Sequence, residues 1–163
     1  MQQENNISCP NQTFPAYAKI ICWALCAVCM AVIFWFSSRT ASESSAQSDI
    51  FVEFFKSIFG DNAVTDFIVR KAAHFSEFAG LGLLFAVAFY VQFGMAKIPF
   101  ALLCASAYAV SDEVHQIFVE GRACKVEDWA IDTAGALLGV LVALAAILAA
   151  QHIKKRRSAE INN

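Results

Sequence analysis

Charge is scarce in this sequence. Asp, Glu, Lys and Arg make up 16% of it against 58% hydrophobic residues, and the formal net charge is −2. A chain with no basic excess lacks the electrostatic footprint of a nucleic-acid binder, so no nucleic-acid partner is expected. A basic region at the very start is also missing, and the first apolar run, Tyr17–Phe36, is too long and too late for a secretory signal; it is read as a retained span. No His-Glu-x-x-His motif and no cysteine ligand set occurs, so the best-marked zinc patterns are absent. The six cysteines make no disulfide framework. Cys22, Cys26 and Cys29 share one face of the first apolar helix, where Cys packs as a small hydrophobe. Cys104 is expected to be buried in a later apolar run, and Cys9 and Cys124 to lie on opposite sides of a membrane, unable to pair.

What the sequence does have is apolar runs of about 20 residues, the length that crosses a bilayer. The fold class implied is an all-α membrane protein: four transmembrane helices in an antiparallel bundle plus one short amphipathic interfacial helix. Residues 1–16 form a polar tail containing Pro10 and Pro15. The spans are placed at about 17–36, 72–93, 98–118 and 129–150, within a domain of 17–150. Between the first two, Ile50, Phe51, Phe54, Phe55, Ile58 and Phe59 recur at helical spacing around Glu53 and Lys56. That segment, about 47–59, is too short to span and suits a helix lying in the headgroup layer. A basic tail, 151–163, closes the chain. Lysines and arginines divide equally between the two sides, and the tight cluster Lys154–Arg157 tips the orientation toward both termini being cytoplasmic.

Ionisable residues inside such spans are costly and mark working sites, and here they are not scattered. Alternating passage brings the end of span one, the start of span two, the end of span three and the start of span four to one leaflet, whichever way the chain inserts. Those ends carry the acids, imidazoles and guanidinium groups, while the opposite ends are nearly featureless. At about 100° per residue, Arg70, His74, Glu77 and Leu81 form one stripe; Tyr108, Asp112, His115 and Gln116 a second; Asp128, Asp132, Gly135 and Gly139 a third. In the third, a G-x-x-x-G pair shares the face of the acids, so the close-packing seam and the polar positions address the same neighbours.

Two chemistries fit this cluster. Arg70, Lys71 and Arg122 suit a phosphate or carboxylate, with Gln116, Asp128 and Asp132 completing a binding site. His74 with Glu77, and Asp112 with His115, are i,i+3 pairs that can ligate a divalent metal or couple a general base to its orienting carboxylate; the residues name no particular metal or cofactor. A third reading is structural, with the polar groups pinning helix register, although a register pin needs fewer of them.

Three stretches resemble the VanZ-like membrane protein family. V-R-K-A-A-H-F-S-E-F-x-x-L-G (Val69–Gly82) is similar to that family's first motif. S-D-E-V-H-Q-x-F-V-x-G-R (Ser111–Arg122) followed by D-W-x-I-D-x-x-G-x-x-x-G (Asp128–Gly139) is similar to its second, and F-S-S-R-T-A-S-E-S-S (Phe36–Ser45) to the segment after its first span. The likeness runs from about Ile33 to Gly139. Phe78 stands where the family usually has Tyr, and Glu120 where Pro is common. The resemblance implies a bacterial cell-membrane protein, with membrane lipids and a lipid-linked cell-wall precursor or glycopeptide-related ligand as partners. The resemblance also implies a link to glycopeptide susceptibility, and the basic residues Arg70, Lys71 and Arg122 favour binding of an anionic lipid-linked or cell-envelope headgroup. The alternatives are a membrane-embedded hydrolase or transferase using His74, Glu77, Asp112 and His115 as catalytic residues, and a structural accessory protein.

Overall fold

The computed structural model describes residues 14–40, 42–44, 52 and 66–161. Within them the chain forms four long helices, α1 (Ala16–Ser37), α2 (Asp66–Phe93), α3 (Ile98–Gln116) and α4 (Val126–Ile161), and no strand. Three of these, α1, α2 and α4, are long and apolar enough to cross a membrane. The expected interfacial helix at 47–59 lies outside the described residues apart from Val52, and so does the tail up to residue 13.

Punctuation at the helix ends follows local chemistry. Gly94, at φ 73°, closes α2 and its N–H bonds to the Tyr90 carbonyl at 2.8 Å. Glycine takes that left-handed conformation without a Cβ clash. Pro99 then sits in the first turn of α3, where its missing N–H is no loss. Gly121, at φ 75°, turns the loop 117–125 back toward the bundle.

Two boundaries differ from the sequence reading. α2 begins at Asp66 rather than near residue 72, so Arg70 and Lys71 stand inside the helix, not before it. The last helix does not stop at residue 150 but runs on to Ile161. Nothing in residues 151–161 breaks a helix, and Lys, Arg and Gln are good helix formers. At 1.5 Å per residue this helix is about 54 Å long, beyond the ~30 Å hydrocarbon layer, so the basic segment continues as helix outside it.

The side chains are distributed inside out. Ser37, Asp112, Glu113, Gln116 and Asp132 are buried, whereas Ile20, Val28, Trp35, Leu103, Leu141 and Leu148 are among many large apolar residues exposed on the outer surface. Water would reject that arrangement; hydrocarbon favours it, since apolar side chains lose nothing there and polar ones must find partners. Ala101, Ala105 and Ala109 line the inner face of α3 at four-residue spacing, against a core containing Phe78 and Leu81. That seam of alanines turns Cys104 outward: it is exposed, not buried as expected from the sequence. Cys26 is buried and Cys22 and Cys29 partly so, all as free thiols in the packing.

The closest helix contact joins α2 to α4. A Cβ on Gly82 would fall 2.3 Å from the Ala136 carbonyl oxygen, on Gly135 2.2 Å from that of Phe75, and on Gly139 1.8 Å from that of Ala79. Backbone therefore meets backbone along the seam, the arrangement that small residues permit in membranes. This contact sets the rotation of α4 about its axis and so delivers Asp132, three residues before Gly135, to the neighbourhood of His74, next to Phe75.

Candidate functional site

All four helices contribute polar side chains at the same end. Asp112 on α3 accepts hydrogen bonds at Oδ2 from the Ser37 hydroxyl of α1 at 2.7 Å and from its own-helix neighbour Gln116 Nε2 at 3.1 Å. Lys71 on α2 pairs with Asp128 at the start of α4. Glu113 Oε2 accepts the backbone N–H of Lys125 at 2.8 Å, tying the loop 117–125 to α3. Arg122, in that loop, donates from Nε to the Arg39 carbonyl and from Nη2 to the Ser44 hydroxyl, both at 2.9 Å. The gathering of ionisable groups at one end, expected from the alternation of spans, is present. The opposite end offers mainly a bond from Gln151 Nε2 to the Tyr90 hydroxyl at 3.4 Å and Lys97 over the Phe93 and Phe100 rings.

Beneath the loop lies a cavity of about 190 Å³. Arg70, Lys71, Arg122 and Lys125 line it, with His74 deeper and Asp128 as the anionic member. Burial, reinforced by the Arg70 guanidinium, lowers the Arg122 pKa from its ordinary value; that value is so high that the group stays cationic at neutral pH. A second void of about 10 Å³, bordered by His74, Asp132 and Glu113, adjoins the first. It has the room of one water-sized sphere.

His74, Asp112 and Asp132 converge from α2, α3 and α4: one ligand atom from each lies within 4.8 Å of the others. Their polar atoms are conspicuous for what they lack. His74 Nδ1, Asp112 Oδ1 and both carboxylate oxygens of Asp132 are buried with no hydrogen-bond partner among the described residues.

The candidate residues thus divide. His74, Asp112 and Asp132 meet at the base; Arg70, Lys71, Gln116, Arg122 and Asp128 line the cavity above them. His115 turns to α1, with Nε2 3.1 Å from the Ser38 hydroxyl and its ring centroid 4.4 Å from that of Phe34. Glu77 is half-buried on α2 and is not part of the converging trio. Phe78 is fully buried, its ring 6.1 Å from Tyr108, whose own hydroxyl donates to the Met30 carbonyl at 2.6 Å. Glu120 is exposed.

Sequence reasoning did not single out Ser37 or Glu113. Ser37 lies within the stretch after the first span, where it reads as one of several serines. Glu113 falls off the stripe of Asp112 and Gln116, and only the return of the loop 117–125 supplies its partner.

A family model described as VanZ/LLP1 matches residues 22–149. No curated protein and no solved structure matches the chain.

Proposed function

The chain belongs to the VanZ-like family, and on that premise we propose that this membrane protein binds an anionic, lipid-linked headgroup of the bacterial envelope in the cavity beneath the loop 117–125. One observation carries the reading: four cationic side chains, Arg70, Lys71, Arg122 and Lys125, surround a cavity of about 190 Å³ at the polar end of the bundle. Phosphate and carboxylate match guanidinium in a planar, two-pronged way. The Nε and Nη2 bonds of Arg122 to the segment after α1 hold that guanidinium in one orientation before a ligand arrives. Pre-ordering of this kind lowers the entropy lost on binding. Sequestering an envelope headgroup in this way would alter glycopeptide susceptibility.

In this reading all four helices cross the membrane in alternating directions, α3 included. The acids at its C-terminal end leave α3 without a span-length stretch as apolar as those in the other three. Its outward face nevertheless carries Phe100, Leu103, Val110 and Val114, all exposed. Both termini are then cytoplasmic and the cavity faces outward. Cys124, exposed on the loop 117–125, should react with a membrane-impermeant maleimide added to intact cells. Labelling only after lysis would reverse the orientation.

The binding test uses purified protein in nanodiscs and a radiolabelled lipid-linked cell-wall precursor, with a zwitterionic lipid as control. Charge-assisted hydrogen bonds contribute about 1.5–3 kcal/mol each, so Arg122→Ala and Arg70→Ala should each weaken retention roughly 10- to 100-fold. Undiminished retention in both variants would remove the proposal.

A membrane-embedded hydrolase or transferase is the second reading, favoured by the half-buried His74, whose Nδ1 is enclosed, beside two buried carboxylates at the base of the same cavity. There an imidazole could serve as general base with a carboxylate orienting it. Release of labelled phosphate or headgroup from the retained precursor would support this reading, and an unchanged precursor after prolonged incubation would count against it.

A further inference from the structure

We infer that His74, Asp112 and Asp132 form a divalent-cation site at the floor of the cavity, suited to an ion such as zinc or manganese that accepts mixed imidazole and carboxylate donors. The inference rests on the side chains themselves and does not depend on headgroup binding.

Two carboxylates sit here in close company, Asp112 at 3% exposure and Asp132 at 1%. Asp132 has no hydrogen-bond partner at either oxygen, and Asp112 has none at Oδ1. Unpaired buried carboxylates are among the costliest arrangements a protein can hold, more so at membrane depth. Lys71, paired with Asp128, borders the same small void and acts on Asp132 through space, but neither Asp132 oxygen receives a hydrogen bond, so a single positive charge is shared among three carboxylates. A divalent cation supplies what is missing: two positive charges against two carboxylates, and a Lewis acid for the orphaned His74 Nδ1.

The donor set and its surroundings have the character of a metal site. One nitrogen and two oxygens from three helices leave coordination positions for water or an incoming anion, as open sites do. In a tetrahedral zinc site donors lie about 3.4 Å apart, given bond lengths near 2.0–2.1 Å. The observed bound of 4.8 Å needs only small side-chain rotations to close. Asp112 is already oriented through its other oxygen by Ser37 and Gln116, the outer support that metal-ligating carboxylates commonly have. The void of about 10 Å³ beside His74 and Asp132 has room for a single small occupant. His74 also borders the larger cavity, so an ion held here would present its open position toward whatever enters beneath the basic rim.

The test uses the full-length protein in detergent or nanodiscs, stripped with chelator and re-equilibrated separately with Zn²⁺, Mn²⁺ and Co²⁺. Elemental analysis should find one ion per chain in the wild type. The visible spectrum of the Co²⁺ form should show ligand-field bands without thiolate charge transfer, which separates this site from adventitious binding at cysteines. A variant with every cysteine replaced by serine, and His152→Gln on the exposed helical extension, should retain the ion. Asp132→Asn and His74→Gln should lower affinity at least tenfold. Three results would overturn the proposal: no ion retained by the wild type, retention lost in the cysteine-free protein, or retention unchanged in both site variants. Should the site variants misfold, the wild-type stoichiometry and the cobalt spectrum still decide the matter.

Discussion

Gly139→Leu is expected to destabilise the bundle by more than about 2 kcal/mol, while Gly80→Leu on α2 leaves it intact. Even a single Cβ at residue 139 would lie 1.8 Å from the Ala79 carbonyl oxygen and 2.7 Å from its carbon. Those neighbours are backbone, so no rotamer change relieves the clash, and the helices must separate. Overpacking a tight interior costs about 1–3 kcal/mol and sometimes more, and here the separation would also pull Gly135 off Phe75 and Gly82 off Ala136. The loss should exceed the middle of that range and appear as reduced abundance and early thermal aggregation in detergent. Residue 80 is the control: nothing lies within 4 Å of its Cβ position, and leucine is a better helix former than glycine. Equal thermal stability of the two variants would mean that the seam is not what holds α2 to α4.

Asp112→Ala and Asp112→Asn should separate architecture from chemistry. Alanine strands the fully buried Ser37 hydroxyl and the Gln116 amide, which share Asp112 Oδ2 as acceptor. Leaving a buried polar group unsatisfied costs about 1–3 kcal/mol. The two penalties are coupled through the 3.4 Å contact of Gln116 with Ser37, so they will not simply add. A destabilisation of roughly 2–4 kcal/mol is expected on that basis, measured by thermal or denaturant unfolding in micelles. Asparagine keeps an oxygen for Ser37 and should recover most of that stability. It also removes the negative charge facing His74 and Asp132, so metal retention should fall while the fold persists. An alanine variant as stable as the wild type would show that the network does not hold α1 to α3.

Much of this was legible in the residues. The apolar runs located the helices because bilayer thickness and helix rise leave little freedom in length. Asp132, Gly135 and Gly139 were placed on one face of α4 by periodicity alone, and the structure brings that face against α2. Periodicity could not say which neighbour each stripe meets. His115 shares a stripe with Asp112, yet Asp112 reaches His74 while the His115 ring packs at a tilt against Phe34, because α3 touches α1 as well as α2 and α4 and one stripe is wide enough to meet more than one neighbour. Cys104 read as buried for a related reason: an apolar run in a membrane has no polar face to betray its outside. Glu113 needed the return of the loop 117–125, whose Lys125 N–H is its partner.

The amino-acid order by itself determined the helical membrane character, the family motifs and the meeting of ionisable residues at one end, since these follow from hydropathy, spacing and the alternation of chain direction. Only the tertiary structure decided that His74, Asp112 and Asp132 form the innermost trio with a basic-lined cavity above. That selection depends on how far each helix is rotated about its axis. Contacts between backbones at Gly82, Gly135 and Gly139 set that rotation for α2 and α4, a steric matter of ångströms to which helical periodicity is blind.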